Sequence, residues 1–309
     1  MSDSPLMVGL GEVLWDLLPS RKVLGGAPAN FAYMATVFGN RGIVASRLGN
    51  DDLGHEAFLA MNNVGLDTTY VQVDGRHETG VAGVLLDSEG QPNFTIKRQV
   101  AWDFLQWTPA WEELSSRADV VCYGSLAQRT QTSASTIERF LQNTPSKTLR
   151  ICDANLRAPF YSANTLRRSF QFAAILKLNE QELYQVSSSL ELGDGDEIEL
   201  SKKLLREFDL DLICVTKGPR GSLLVSKHEL VAHRGIDAEV ADAIGAGDAF
   251  TACIAHYYIQ GRPLEQISEL ANRFAAWVAT QVGATPPVSE AQLIRIMGAD
   301  TANEGSPQR

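Results

Sequence analysis

The chain has 309 residues, 44% hydrophobic and 21% charged, with a formal net charge of −10. Such a composition suits a soluble globular protein of one large α/β domain or two small ones, and the negative charge disfavours non-specific binding to nucleic acid or an anionic membrane. No run approaches the roughly 20 apolar residues of a bilayer span, and no basic region leads into an apolar stretch at the N-terminus. A cytoplasmic protein with no nucleic-acid or membrane partner is therefore expected. Cys122, Cys152, Cys214 and Cys253 lack metal-ligand spacing and read as buried free thiols of a reducing compartment.

In chain order, a buried strand is expected over 6–10. Pro28 opens a helix whose face is Phe31, Met34, Ala35 and Phe38, closed by Gly39. A strand over 43–48 and a helix over 53–64 follow, with Asp52 as N-cap and Gly65 beyond the end. From 69 to 107 short strand runs (VQV, VAGVLL, NFTI) surround a turn at 87–90, and no helix separates them. This region reads as a small antiparallel sheet inserted into an alternating fold. Strands over 120–123, 149–152, 174–178 and 212–216 then alternate with helices near 134–142, 165–172, 180–186 and 197–208. Two long helices begin near Ala246 and at Pro263, and the chain after about Thr301 is polar and reads as frayed. Repeated β–α alternation predicts a mostly parallel sheet covered on both faces, with ligands at the carboxyl ends of its strands.

The segment DAIGAGDAF at 242–250 carries the most chemistry. Gly245, Ala246 and Gly247 let a ligand approach the backbone, and the helix that begins there offers unpaired N–H groups to anionic oxygens. A carboxylate at Asp248 repels phosphate but is well placed to take a proton from an attacking hydroxyl, as phosphoryl transfer requires. An isolated Gly-x-Gly-Asp is more often an ordinary acidic helix start.

The run resembles the C-terminal signature of the PfkB, or ribokinase-like, carbohydrate kinases. It matches at Asp242, Gly245, Ala246, Gly247, Asp248 and Phe250 and departs at Ala243, where Thr is usual. Further segments match the family in order. GGAPANFA at 25–32 resembles its N-terminal signature, with Gly26 and Asn30 facing a sugar. GEVLWD at 11–16 places Asp16 at the end of the first strand, where fructokinase-like members hold sugar hydroxyls. SRLGNDDLG at 46–54 reads as a turn and helix cap. KRQVAWD at 97–103 supplies Arg98 for substrate charge, with Trp102 read as packing. DANLR at 153–157 supplies Arg157 for phosphate oxygens. KLNEQE at 177–182 matches the element through Asn179 and Glu182 that organises Mg²⁺ and its waters beside the nucleotide. TKGPRG at 216–221 borders ATP through Thr216, Gly218 and Gly221, with Asn272 toward the adenine.

The resemblance implies a single ribokinase-like α/β/α sandwich, with a central mostly parallel sheet and a small β-sheet lid from inserts at about 12–25 and 69–107. It implies an ATP- and Mg²⁺-dependent sugar kinase, with Asp248 as base and the amides of Gly245, Ala246 and Gly247 around the phosphoryl group. It also implies a K⁺ site at Asp242, Ile244 and Gly283. The inserted sheet has one exposed face that needs covering, so a homodimer formed through the lid is expected. GEVLWD and AWD look most like fructokinases, which makes D-fructose the expected substrate. A 2-keto-3-deoxygluconate kinase, a ribose or nucleoside kinase, and a non-catalytic sugar sensor are the alternatives. There is no G-x-x-x-x-G-K-[ST], and GLGEVL breaks the G-x-G-x-x-G spacing, so neither a P-loop enzyme nor a dinucleotide dehydrogenase is expected.

Overall fold

The computed structural model describes residues 4–18, 21–86 and 92–298. The chain runs β1 (Leu6–Leu10), β2 (Leu14–Leu18), β3 (Arg21–Gly25), α1 (Ala27–Val37), β4 (Arg41–Gly49), α2 (Asp52–Asn63) and β5 (Val71–Asp74). It continues through β6 (Gly80–Leu86), β7 (Pro92–Ile96), α3 (Pro109–Arg117), β8 (Val120–Gly124), α4 (Gln131–Gln142), β9 (Leu149–Asp153) and α5 (Ala163–Phe170). Then come β10 (Ile175–Asn179), α6 (Glu180–Ser189), α7 (Glu197–Glu207), β11 (Leu212–Thr216), β12 (Ser222–Ser226) and β13 (Leu230–His233). Helices α8 (Ala246–Tyr258), α9 (Leu264–Ala279) and α10 (Glu290–Met297) finish the fold.

Among the described residues nine strands form the main sheet, in the order β13-β12-β11-β10-β9-β8-β1-β4-β5. All its pairings are parallel except β11–β12 and β12–β13. The central strands are apolar on both faces because helices cover both. On one side Leu10, Val121, Cys152, Leu176 and Ile213 pack with Phe140 of α4, Phe170 of α5 and Leu183 of α6. On the other, Met7, Val44, Val120, Ile151 and Cys214 pack with Phe31 of α1, Phe250 of α8 and Phe274 of α9. The result is a three-layer α/β/α sandwich. Strand order reverses around β1, which has β8 on one side and β4 on the other. A crevice therefore opens beyond its carboxyl end, the expected place for a ligand.

A second sheet has the order β3-β2-β6-β7. It is mixed, not purely antiparallel as the sequence suggested, because β2 and β6 pair in parallel. The VQV run also differs from expectation: as β5 it joins the edge of the main sheet, parallel to β4. The cap of α2 is Asp51 rather than Asp52, since Asp51 is extended and its carboxylate accepts from the Gly54 amide at 2.8 Å. Helix α3 was not anticipated; Thr108 caps it and Pro109 fills its first position. The turn expected at 87–90 and the polar end after Thr301 lie outside the described residues. Among the described residues all four cysteines are free and buried, and no helix is long and apolar enough to cross a membrane.

Candidate active site

The loop before α8 turns on Gly245, whose φ of 81° is left-handed, and a Cβ there would come within 2.7 Å of the Ala284 backbone. Asp242 holds the loop: its Oδ1 accepts from the Ile244 amide at 3.0 Å and its Oδ2 from the Gly283 amide at 3.2 Å. Arg21 of β3 reaches the same Oδ2 at 3.0 Å. No side chain caps α8, so N–H groups of its first turn remain for a ligand. Of the three amides expected there, that of Ala246 is the exception, pointing back to the Ala243 carbonyl at 3.4 Å.

Asp248 stands in that first turn. Asn30 of α1 donates to its Oδ2 at 2.8 Å and leaves Oδ1 outside that bond. Burial, and then the neighbouring Asp153 charge, push the Asp248 pKa up to about 7, against the opposing pull of Asn30, Lys177 and Arg157. A carboxylate so poised is a competent base near neutral pH.

Behind α8 lies a polar network in the otherwise apolar layer. Lys177 and Asp153 are register partners on β10 and β9. The Lys177 ammonium lies 3.1 Å and 3.0 Å from the two Asp153 oxygens. Thr251 donates to Asp153 Oδ2 at 3.1 Å and is 3.0 Å from the Gly247 carbonyl. Asn179 and Glu182 form a reciprocal cap on α6: Asn179 Oδ1 accepts from the Glu182 amide, and Glu182 Oε2 from the Asn179 amide, both at 2.8 Å. Glu182 Oε1 also accepts from the Leu156 amide at 2.7 Å, which ties the Arg157 loop to this cap. Burial raises the Glu182 pKa, with Lys177 opposing.

On the other side of the crevice, Asp16 projects from β2 beside Gly25, where a Cβ would meet its Oδ2 at 2.3 Å. Gly26 brings the chain against the Glu12 carbonyl, which a Cβ would approach to 2.4 Å. Burial raises the Asp16 pKa while the exposed Arg157 pulls it down. The Arg157 charge is felt by Glu12, Asp16 and Asp248 alike, so three separate segments lie within electrostatic reach of one guanidinium.

Arg98 lies 4.9 Å over the Phe160 ring and lines a cavity of about 340 Å³ with Asp103, Arg129 and Thr165. Trp102 is fully buried, as its packing role requires. Arg129 stacks 3.9 Å over the Trp102 ring and binds Asp103 with two hydrogen bonds of 2.7 Å.

At the carboxyl end of β11, the Thr216 hydroxyl leans on the Leu178 carbonyl at 3.4 Å. Gly218 and Gly221 shape the turn into β12, both with positive φ. Asn272 is turned inward: its amide nitrogen donates to Ser222 and to the Ser268 carbonyl, so it ties α9 to β12 and only its oxygen is left for an adenine. The site residues that sequence reasoning passed over are Glu12, Asp153 and Lys177. Asp153 and Glu12 are charges at or just past the end of an apolar strand run and Lys177 is a charge inside one, and that misfit was the available signal.

A family model described as pfkB family carbohydrate kinase matches residues 20–291. A fructokinase of Escherichia coli is 28% identical over 295 residues, covering 89% of this chain and 93% of its own. The structure of a fructokinase with bound ATP from Xylella fastidiosa aligns with a TM-score of 0.81 at 20% identity, covering 96% of this chain and 99% of that one. A 2-dehydro-3-deoxygluconokinase of Thermotoga maritima aligns almost as well, with a TM-score of 0.78 at 16% identity over 96% of this chain and 99% of that one.

Proposed function

From the premise that this chain belongs to the pfkB family of carbohydrate kinases, we propose that it moves the γ-phosphoryl group of ATP to a primary hydroxyl of D-fructose. That it is a sugar-kinase-type phosphotransferase follows from the family; the sugar is the finer reading. The observation that carries the mechanism is the contact of Asp248 with Asn30, which sets the base at a helix N-terminus against the residue expected to hold the sugar.

In this reading Asp16, Gly26 and Asn30 face the sugar hydroxyls, with Arg98 at the outer wall. Asp248 Oδ1 accepts the hydroxyl proton as the oxygen attacks phosphorus. The free amides of the first turn of α8 and the Arg157 guanidinium take up charge on the transferring group. The turn of Thr216, Gly218 and Gly221 borders the nucleotide. The small sheet, from inserts at about 12–25 and 69–107, acts as the lid that excludes water, and a second copy meeting it lid to lid would cover its open edges. Buried free thiols are in keeping with a cytoplasmic setting.

The residues present fit Mg²⁺ held mostly by phosphate and water. Both Glu182 oxygens already accept backbone N–H groups, leaving lone pairs for waters rather than for the ion itself. When bound, the ion neutralises phosphate charge. A K⁺ ion fits less directly, because the Asp242 carboxylate is occupied by two amides and Arg21; the carbonyls of Ile244 and Gly283 are what this loop offers it.

A second reading, phosphorylation of 2-keto-3-deoxygluconate, is favoured by exposed Arg98, which can meet an acid sugar's carboxylate. The test is ADP release with ATP and Mg²⁺ against fructose, ribose, glucose, 2-keto-3-deoxygluconate and adenosine, with Asp248→Asn alongside. Fructose turnover reduced at least ~100-fold in the variant is expected. Turnover on another member alone sinks the fructose assignment. Near-normal turnover in Asp248→Asn sinks the base. Sugar binding without turnover on any member would make the protein a sensor.

A further inference from the structure

We propose that the cavity where β5 ends is a second ligand site, which binds a phosphate-bearing anion through Arg47 and Arg76 beside His77. It is lined by none of the residues placed above at the sugar or the nucleotide, and the inference goes beyond the kinase reading.

The cavity measures about 720 Å³ and lies at the outer edge of the main sheet. Asp74, the last residue of β5, is 2% exposed and organises the turn that follows. Its Oδ1 accepts from the Arg76 and His77 amides at 2.8 and 3.1 Å. Its Oδ2 faces Arg47 Nε at 3.0 Å and His77 Nδ1 at 2.9 Å. Burial alone would raise the Asp74 pKa, but these partners hold it below the ordinary value, so the carboxylate stays charged. One negative charge is thus set against two arginines and a histidine. Glu78, close by in sequence, is taken up by Lys97. The cluster is net positive in a chain of net charge −10.

Its free donors are those an anion needs. Arg76 is exposed, and its guanidinium makes no bond among the described residues although its amide is fixed. Arg47 is buried, and its Nε, near as it is to Asp74, has no aligned hydrogen-bond acceptor among the described residues. Thr132 brings the first turn of α4 to the cavity, and the Thr130 cap of that helix engages the Ser133 amide but not that of Thr132. Guanidinium groups and helix-start amides together suit phosphate oxygens. The stacked rings of His77 and Phe104, 3.6 Å apart, form an apolar wall, and Gln106 adds a neutral polar group. The space beyond one phosphate therefore admits a phosphorylated sugar as well as the free ion. The same turn carries the chain from β5 into β6 of the small sheet, and Thr79 in it donates twice to Asp51 at 2.7 Å. An anion on Arg76 steadies the joint between the two sheets.

Proton NMR of the full chain reads the site through His77, one of five histidines, whose ring-proton signal is assigned by its loss in His77→Gln. Inorganic phosphate and glucose 6-phosphate are titrated separately into wild type and Arg76→Ala at fixed pH and ionic strength, with chloride as the control. Arg76 has no side-chain bond for the substitution to break, so the fold is kept. We expect a saturable shift of the His77 signal with either phosphate compound and not with chloride. Binding should weaken at least about ten-fold in Arg76→Ala, the loss of a hydrogen bond between charged groups. Tighter binding of glucose 6-phosphate would assign the cavity to a sugar phosphate, and equal or weaker binding to the phosphate group alone. The absence of a saturable shift would overturn the proposal. So would a shift whose affinity Arg76→Ala leaves within about two-fold, the effect of a screened surface charge.

Discussion

Asn30 and Asp248 lie 218 positions apart in the chain, yet the Asn30 amide donates to the Asp248 carboxylate at 2.8 Å. One end of the contact belongs to the segment that opens α1, the other to the first turn of α8. The bond fixes one carboxylate oxygen and leaves the other for the proton-accepting role proposed above. It also lowers the Asp248 pKa, against burial and Asp153. Replacing Asn30 by Leu removes both effects. The acid limb of kcat/KM for the sugar should move to higher pH, and kcat/KM at pH 7 should fall about ten-fold, the range of a lost hydrogen bond to a charged group. An unchanged acid limb would show that Asn30 does not touch the working base.

The wild-type pH profile follows from the same carboxylate. Asp248 must be ionised to accept a proton, and its pKa is pushed up to about 7. Activity should therefore climb with pH below about 7 and level off above it, and it should not already be flat from pH 5, as an ordinary aspartate would make it. Initial rates from pH 5.5 to 9 decide between the two.

Glu12 makes a prediction about stability. It is 2% exposed, its Oε2 has no hydrogen-bond partner among the described residues, and burial pushes its pKa up to about 7. A carboxyl whose folded pKa is raised contributes stability that is present below its unfolded pKa and is lost as pH rises through the folded value. The ligand-free protein should thus weaken between about pH 4.5 and 7, by on the order of 3 kcal/mol from this group. Asp248 acts in the same direction. Glu12→Gln should flatten the curve and raise the melting point at pH 8. Denaturant titrations of both proteins at pH 5 and pH 8 measure the difference.

Asp103 is fully buried and holds Arg129 with two bonds of 2.7 Å, the guanidinium lying between the rings of Trp102 and Phe160. Arg129 also donates to the Lys97 carbonyl, just past the end of β7. Asp103→Ala leaves a buried guanidinium without its counter-charge and should cost roughly 3–5 kcal/mol. Conversely, exposed pairs such as Arg117–Glu113 should contribute under ~1 kcal/mol. Chemical denaturation of Asp103→Ala and Glu113→Ala compares the two directly.

The alternating layers were legible because apolar strands and amphipathic helices differ in period, and that signal is local. What escaped was non-local. VQV reads as a strand wherever it pairs, and only the folded chain sends β5 to β4 instead of the small sheet. Of the adjacent acids Asp51 and Asp52, sequence could not tell which would be extended and so cap α2. Asp16, Asn30, Arg157 and Asp248 were legible singly, each in its own segment. The Asn30–Asp248 bond and the Lys177–Asp153–Thr251 network were not, because spacing along a strand does not say which side chains meet across the sheet.

Arg21 supplies the last test. Its guanidinium crosses from β3 of the small sheet to Asp242, at the head of the loop before α8 that is proposed to hold the phosphoryl group, with an N–O distance of 3.0 Å. The Asp242 carboxylate faces two amides and this arginine, so its charge is already met without a free cation. Arg21→Ala leaves that charge uncompensated, and a monovalent cation then has more to offer the loop. Stimulation by KCl over choline chloride in the ADP-release assay should be larger in the variant than in wild type. The arginine is 42% exposed, and such a pair contributes at most about 1 kcal/mol, so the increase should not exceed about five-fold. Equal stimulation in the two proteins would mean that Arg21 and the cation act on different parts of the loop, and that the arginine serves only to draw the small sheet down onto the cleft.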